Sequence, residues 1–192
     1  MFEWLKTKVL RSREPLASRL IKAEYPFNTS ENSIHLEVFQ SADLDWFASD
    51  KYGRIGWFTS GFWGHVPKSV ADELPHLDHL MDYFVEGPLL GERGPAEIAD
   101  HLNLPGPISS WDRYGQYVEG VVRMAKKGLF CFDVMKVTGN DYQTRGYDRI
   151  AVPASALTLA DVVPEIAAVL VRIRLDCSFQ ECEQLGLSIG PQ

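Results

Sequence analysis

Cysteine is scarce in this chain, with only Cys131, Cys177 and Cys182 among 192 residues, and an odd number always leaves one thiol unpaired. The one close pair has four residues between its members instead of the two of a redox or zinc knuckle, so no disulfide framework is expected. Long apolar runs are missing too. The longest aliphatic stretch, Ile166 to Val171, falls far short of the roughly 20 residues of a membrane span. The N-terminal Met-Phe-Glu-Trp-Leu-Lys-Thr-Lys is broken by charge too often to hold the apolar core of a secretory signal. These absences predict a cytoplasmic protein without a membrane span. Chemistry is equally unmarked: the glycines at 53, 56, 61 and 64 lack the dinucleotide-binding spacing, and neither a P-loop nor a Gly-x-Ser-x-Gly elbow occurs. No cofactor and no catalytic residue are expected.

What is present describes a globular domain. Hydrophobic residues at 45%, aromatics at 11% and charged residues at 23% exclude disorder, collagen and coiled coil. A length of 192 residues suits one core, so the whole of 1–192 is expected to form a single domain. Charge is distributed unevenly. Residues 1–24 carry six basic side chains against three acidic ones, while residues 72–102 carry eight acids against Arg93 alone, a balance of -7 that equals the net charge of the chain. Acid at that density repels nucleic acid phosphates and attracts basic proteins, which argues against direct nucleic acid binding and for a cationic partner.

Periodicity supplies the elements. Phe2, Leu5, Val9, Leu16 and Leu20 predict an amphipathic helical segment over 2–23, and Ile34, Leu36 and Val38 alternate as a strand. A second strand is expected over Arg54 to Thr59, after the turn signal Asp50-Lys51-Tyr52-Gly53. Pro67 opens a helix whose buried stripe takes Val70, Leu74, Leu77, Met81, Phe84 and Val85, with Pro75 placed to kink it. A short helix over Ala96 to Leu102 and a better marked one over Trp111 to Lys127 follow, the latter ending in two lysines and Gly128. Leu129 to Val137 and Tyr147 to Val152 read as an antiparallel pair, Pro164 to Val171 as a helix, Leu175 to Phe179 as an edge strand, and 186–192 as a frayed tail. This order predicts an α+β fold, an antiparallel sheet packed by helices.

Two groups of residues stand out as candidate sites. Opposite the buried stripe, the helical projection places Asp72, His76, His79, Asp82 and Glu86 on one outward face, suited either to solvent or to a basic partner. Asp72, His76 and His79 also have offsets compatible with metal ligation on one helical face, but no second ligand cluster accompanies them, so no metal is assigned. The other group lies in the stretch 53–64, where four glycines and four large aromatics fall within twelve residues. Trp57, Phe62 and Trp63 could wall a small-ligand pocket there, with Thr59, Ser60 and His65 as its polar groups and His65 as the side chain suited to proton transfer. A core plug is the alternative use of the same aromatics.

The segment from Asp50 to Pro67, Asp-Lys-Tyr-Gly-Arg-Ile-Gly-Trp-Phe-Thr-Ser-Gly-Phe-Trp-Gly-His-Val-Pro, resembles part of an uncharacterised bacterial protein family of polymorphic-toxin immunity type. The end of the chain is similar as well, through Tyr147-Asp148-Arg149-Ile150-Ala151-Val152-Pro153, the helix opened by Pro164 and the stretch Leu175 to Phe179. The resemblance implies a cytoplasmic, non-enzymatic protein that binds and neutralises one cognate toxin, and it transfers no functional residue. Carboxylates on the exposed helix would then meet the lysines and arginines of a basic toxin surface.

Overall fold

The computed structural model describes residues 44–60, 66–87, 90–100, 111–134 and 146–186, with backbone alone for 111–114. The expected N-terminal helix, the strand at Ile34, most of the loop 138–146 and the tail lie outside these residues. Strand β1 (Asp45–Ser49) turns back into β2 (Ile55–Thr59), with Trp46 opposite Phe58 and Ser49 opposite Ile55. The turn signal predicted here is used. Gly53 takes the left-handed conformation at φ 78°, and the Asp50 carboxylate accepts the amides of Tyr52 and Arg54 at 2.8 and 2.9 Å.

Two helices follow where one was expected. Helix α1 (Lys68–Asp72) stops at Glu73 and α2 (Leu74–Met81) restarts with Pro75 in its first turn, the place where a missing N–H costs nothing. A π-helical turn (Asp82–Glu86) closes the segment. The break shifts the helical phase, so the fully buried side chains are Val70, Leu77, Leu80 and Phe84, whereas Leu74, Met81 and Val85 are only half-buried.

Strand β3 (Ala96–Ile98) stands at the start of the helix expected over Ala96 to Leu102, whose last two residues lie outside the described residues. Alanine and glutamate favour helix, but the difference is only a few tenths of a kcal/mol per residue and is readily overridden by context. Here each residue of the segment pairs antiparallel with the later strand, Ala96 with Pro153, Glu97 with Val152 and Ile98 with Ala151. Helix α3 (Trp111–Lys126), strand β4 (Phe130–Val134), strand β5 (Tyr147–Pro153) and helix α4 (Pro164–Arg172) fall close to their expected places. The expected edge strand Leu175 to Phe179 is irregular and runs into a turn at Phe179, and the last strand among the described residues is β6 (Gln184–Leu185). The correction has a plain cause: Leu175 and Cys177 place only single hydrogen bonds on β1 and its turn, and Phe179 dives into the core.

Among the described residues, the resulting α+β domain holds a six-stranded sheet of order β1-β2-β4-β5-β3, with β6 on β5. It is mostly antiparallel. The exception is β2 beside β4, a parallel pair that requires a long crossover, and α1, α2, β3 and α3 all lie within it. One face of the central strands carries Trp46, Phe58 and Phe132 stacked in a row, at 4.0 and 4.7 Å between ring centroids, with Tyr147 and Phe179 edge-on or tilted against them. On the other face Phe47 meets Phe84 of the π-helical turn, the Cys131 thiol donates to the Val121 carbonyl of α3, and the Ser49 hydroxyl donates to the Leu170 carbonyl of α4. Helices therefore cover one face and aromatics fill the other. That double burial explains why β1 and β2 are apolar on both sides instead of alternating.

Candidate functional site

The five residues predicted to share an outward face are spread over α1, α2 and the π-helical turn. Asp72, His76, His79, Asp82 and Glu86 are all exposed, while Val70, Leu77, Leu80 and Phe84 face the core. The acidic segment as a whole is divided, however, and several of its carboxylates already have partners. Asp72 binds the Lys68 ammonium at 2.6 and 2.8 Å, and Glu92 reaches Lys126 at 3.5 Å. Among the described residues, no group of three or more His, Cys, Asp or Glu side chains could hold a metal ion.

Glu73, at the break between α1 and α2, holds the guanidinium of Arg172 on α4 through two parallel bonds, the second of them 2.8 Å. The hydrogen bond from Arg172 holds the Glu73 carboxyl below its ordinary value of 4.5. A depressed carboxyl adds stability that is present above about pH 4.5 and is lost as pH falls through the folded value. Glu73→Gln lacks that contribution at every pH. The gap between the urea midpoints of the two proteins should therefore be full at pH 7 and narrow as pH falls below about 4.5, and a gap that stays constant would show that the ion pair contributes nothing.

A groove that no sequence pattern marks opens at the far end of the sheet. Strands β3 and β6 both pair with the edge of β5 that β4 leaves free, β3 at Ala151 to Pro153 and β6 at Tyr147 and Asp148. Between them the backbone is still closed, by Arg149 N to Glu183 O at 2.7 Å and Ala99 N to Ile150 O at 3.0 Å. Above this seam lies an open concavity of about 520 Å³. Among the described residues, four carboxylates line it, Glu97, Asp100, Asp148 and Glu183, against the single guanidinium of Arg149. Arg149 is already committed to the carbonyls of Phe179 and Gln180 at 2.9 and 2.7 Å. Glu97 and Asp100 belong to the acidic segment, but Asp148 and Glu183 come from distant parts of the chain. Only strand pairing brings them together, and no local pattern announces that.

The aromatic and glycine-rich segment is used as core where it is described. Trp57 and Phe58 are buried, Ser60 accepts the Leu44 amide at 2.8 Å, and Thr59 donates to Asp133 at 2.6 Å. Phe62, Trp63 and His65 lie outside the described residues. Asp133 also accepts the phenol of Tyr117 on α3 and the amide of Val134. Burial first, and the Asp133 carboxylate second, hold the Tyr117 hydroxyl far above its ordinary value, so it remains a proton donor to Asp133 at neutral pH. The Thr59, Asp133 and Tyr117 cluster thus fastens α3 over the β2–β4 pair.

No protein-family model, curated protein or solved structure matches this chain. Among the described residues, no helix is long and apolar enough to cross a membrane.

Proposed function

We propose that the chain is a non-enzymatic binding protein of the immunity type its segments resemble, acting in the cytoplasm on a protein partner with a basic surface. The observation that carries this reading is the exposure of Asp72, His76, His79, Asp82 and Glu86 along one segment whose Val70, Leu77, Leu80 and Phe84 are buried. A rigidly mounted acidic face speeds encounter with a cationic partner and covers the lysines and arginines that such a partner would use on phosphates. Neutralisation then follows from occlusion, without chemistry by this chain. Co-purification with the product of a neighbouring gene, followed by a protection assay, tests the function directly. Failure to bind or protect against any adjacent toxin removes it.

The face itself is tested by charge reversal. Replacing Asp72, Asp82 and Glu86 together with lysine leaves the buried stripe intact, and the Lys68–Asp72 pair that is lost is exposed on both sides, where such pairs contribute about 0–1 kcal/mol. The triple variant is expected to fold normally and to bind its partner roughly tenfold more weakly or worse, with a flatter salt dependence. Unchanged affinity and salt response in a folded triple variant would rule this face out as the interface.

A further inference from the structure

The two half-buried thiols at Cys177 and Cys182 lie at opposite ends of one tight turn. The Ser178 carbonyl accepts the amides of Glu181 at 3.1 Å and Cys182 at 2.9 Å, so the chain reverses and returns Cys182 to the residue beside Cys177. Both limbs are pinned. The Cys177 carbonyl accepts the Lys51 amide at 3.0 Å, the Ser178 hydroxyl accepts from Arg54 at 2.8 Å, and the Phe179 amide donates to Asp50 at 3.0 Å. Within the turn, Arg149 holds the carbonyls of Phe179 and Gln180, and past it the Arg149 amide donates to the Glu183 carbonyl at 2.7 Å. A reversal fixed at this many points holds two cysteines at short range without relying on chance encounters of a loose loop. The third cysteine, Cys131, is fully buried on β4 and out of reach of reagents.

We propose that Cys177 and Cys182 form a dithiol site that closes to an intramolecular disulfide by exchange with a low-molecular-weight disulfide. One protein thiolate attacks a sulfur of the reagent, its S–S bond breaks, and one reagent thiolate leaves. The second protein thiolate then attacks the protein sulfur of the mixed disulfide and expels the other half. The dithiol loses two electrons and two protons, and the reagent is reduced to two thiols. Burial pushes the Cys177 thiol up to about 12, and the neighbouring Cys182 thiol adds to that shift. Cys177 therefore attacks slowly near neutral pH. The closed ring encircles the turn that seats Phe179 and leads straight into Glu183 and Gln184, so oxidation fixes one wall of the acidic groove.

The test uses the intact reduced protein and glutathione disulfide, with acid quenching, alkylation and peptide mapping without reduction. The expected product is a linked 177–182 peptide lighter by two hydrogens, with Cys131 alkylated only after denaturation. Closure should accelerate about tenfold per pH unit between pH 7 and pH 9, following the thiolate fraction of Cys177. Cys177→Ser should stop at a mixed disulfide carrying one glutathione on Cys182. A wild-type protein that accumulates the same mixed disulfide, forms linked dimers, or keeps both thiols free overturns the proposal. Because the wild-type map decides alone, a folding defect in the variant leaves the test intact.

Discussion

Asp50→Ala is expected to lose about 3–5 kcal/mol of stability, the usual consequence of removing one partner from a buried charge pair. Asp50 is fully buried, and its two oxygens accept four donors: the amides of Tyr52 and Arg54 on one oxygen, the Arg54 Nε and the Phe179 amide on the other, all between 2.8 and 3.0 Å. One side chain thereby ties the β1–β2 turn to the segment beyond α4. Alanine leaves three amides without that acceptor and the Arg54 guanidinium without its counter-charge. Each unsatisfied buried donor costs about 1–3 kcal/mol, and because the donors share one acceptor their costs do not simply add. Asp50→Asn keeps the acceptor facing Tyr52 and Arg54 but turns an amide toward Phe179, so its stability should fall between those of wild type and the alanine variant. Urea denaturation decides it. A loss below about 1 kcal/mol for the alanine variant would mean that the backbone bonds of the turn suffice by themselves.

Asp50 also illustrates where sequence reading stops. Its place in Asp-Lys-Tyr-Gly predicted a turn, since an Asp followed by a Gly is local information, and the turn is there. Its contact with Phe179, 129 positions away, is not local and has no signature. The same division runs through the fold. Strands β2, β4 and β5 and helices α3 and α4 were legible because apolar spacing, prolines and terminal lysines mark them within a few residues. Strand β1 carries no such mark, because Trp46, Phe47 and Ala48 are all buried and no alternation appears. The residues of β3 have helical propensity, and their strand character exists only in the pairing with β5. The acidic segment shows the limit for sites. Composition marked it as one surface, whereas the fold gives Asp72, Asp82 and Glu86 to a helix face, Glu73 to Arg172, and Glu97 and Asp100 to the groove.

Phe58→Ala should cost about 3–5 kcal/mol, the range for deleting a buried aromatic side chain. Phe58 sits at the centre of the aromatic face, stacked between Trp46 and Phe132 and edge-on to Tyr147 and Phe179 at 5.4 and 5.7 Å. Four ring contacts vanish with it, each worth about 0.5–1.5 kcal/mol beyond area burial in comparable pairs. Neighbouring Trp46 is further fixed by its indole N–H on the Tyr147 hydroxyl at 3.2 Å, so it cannot collapse freely into the space left behind. Gly56 supplies an internal check on this packing. A Cβ there would lie 2.9 Å from Phe179 and 3.0 Å from Phe58, so Gly56→Ala overpacks the wild-type core and should cost about 1–3 kcal/mol. In the Phe58→Ala background one of those two clashes is gone, and Gly56→Ala should be milder by at least about 0.5 kcal/mol. Val171→Ala, at a position 55% exposed, serves as the control and should stay within about 0.5 kcal/mol of wild type. Strict additivity of the two core changes would show that Phe179 alone confines Gly56. A loss under about 2 kcal/mol for Phe58→Ala would show that the surrounding rings close the gap, against the fixed geometry argued for Trp46.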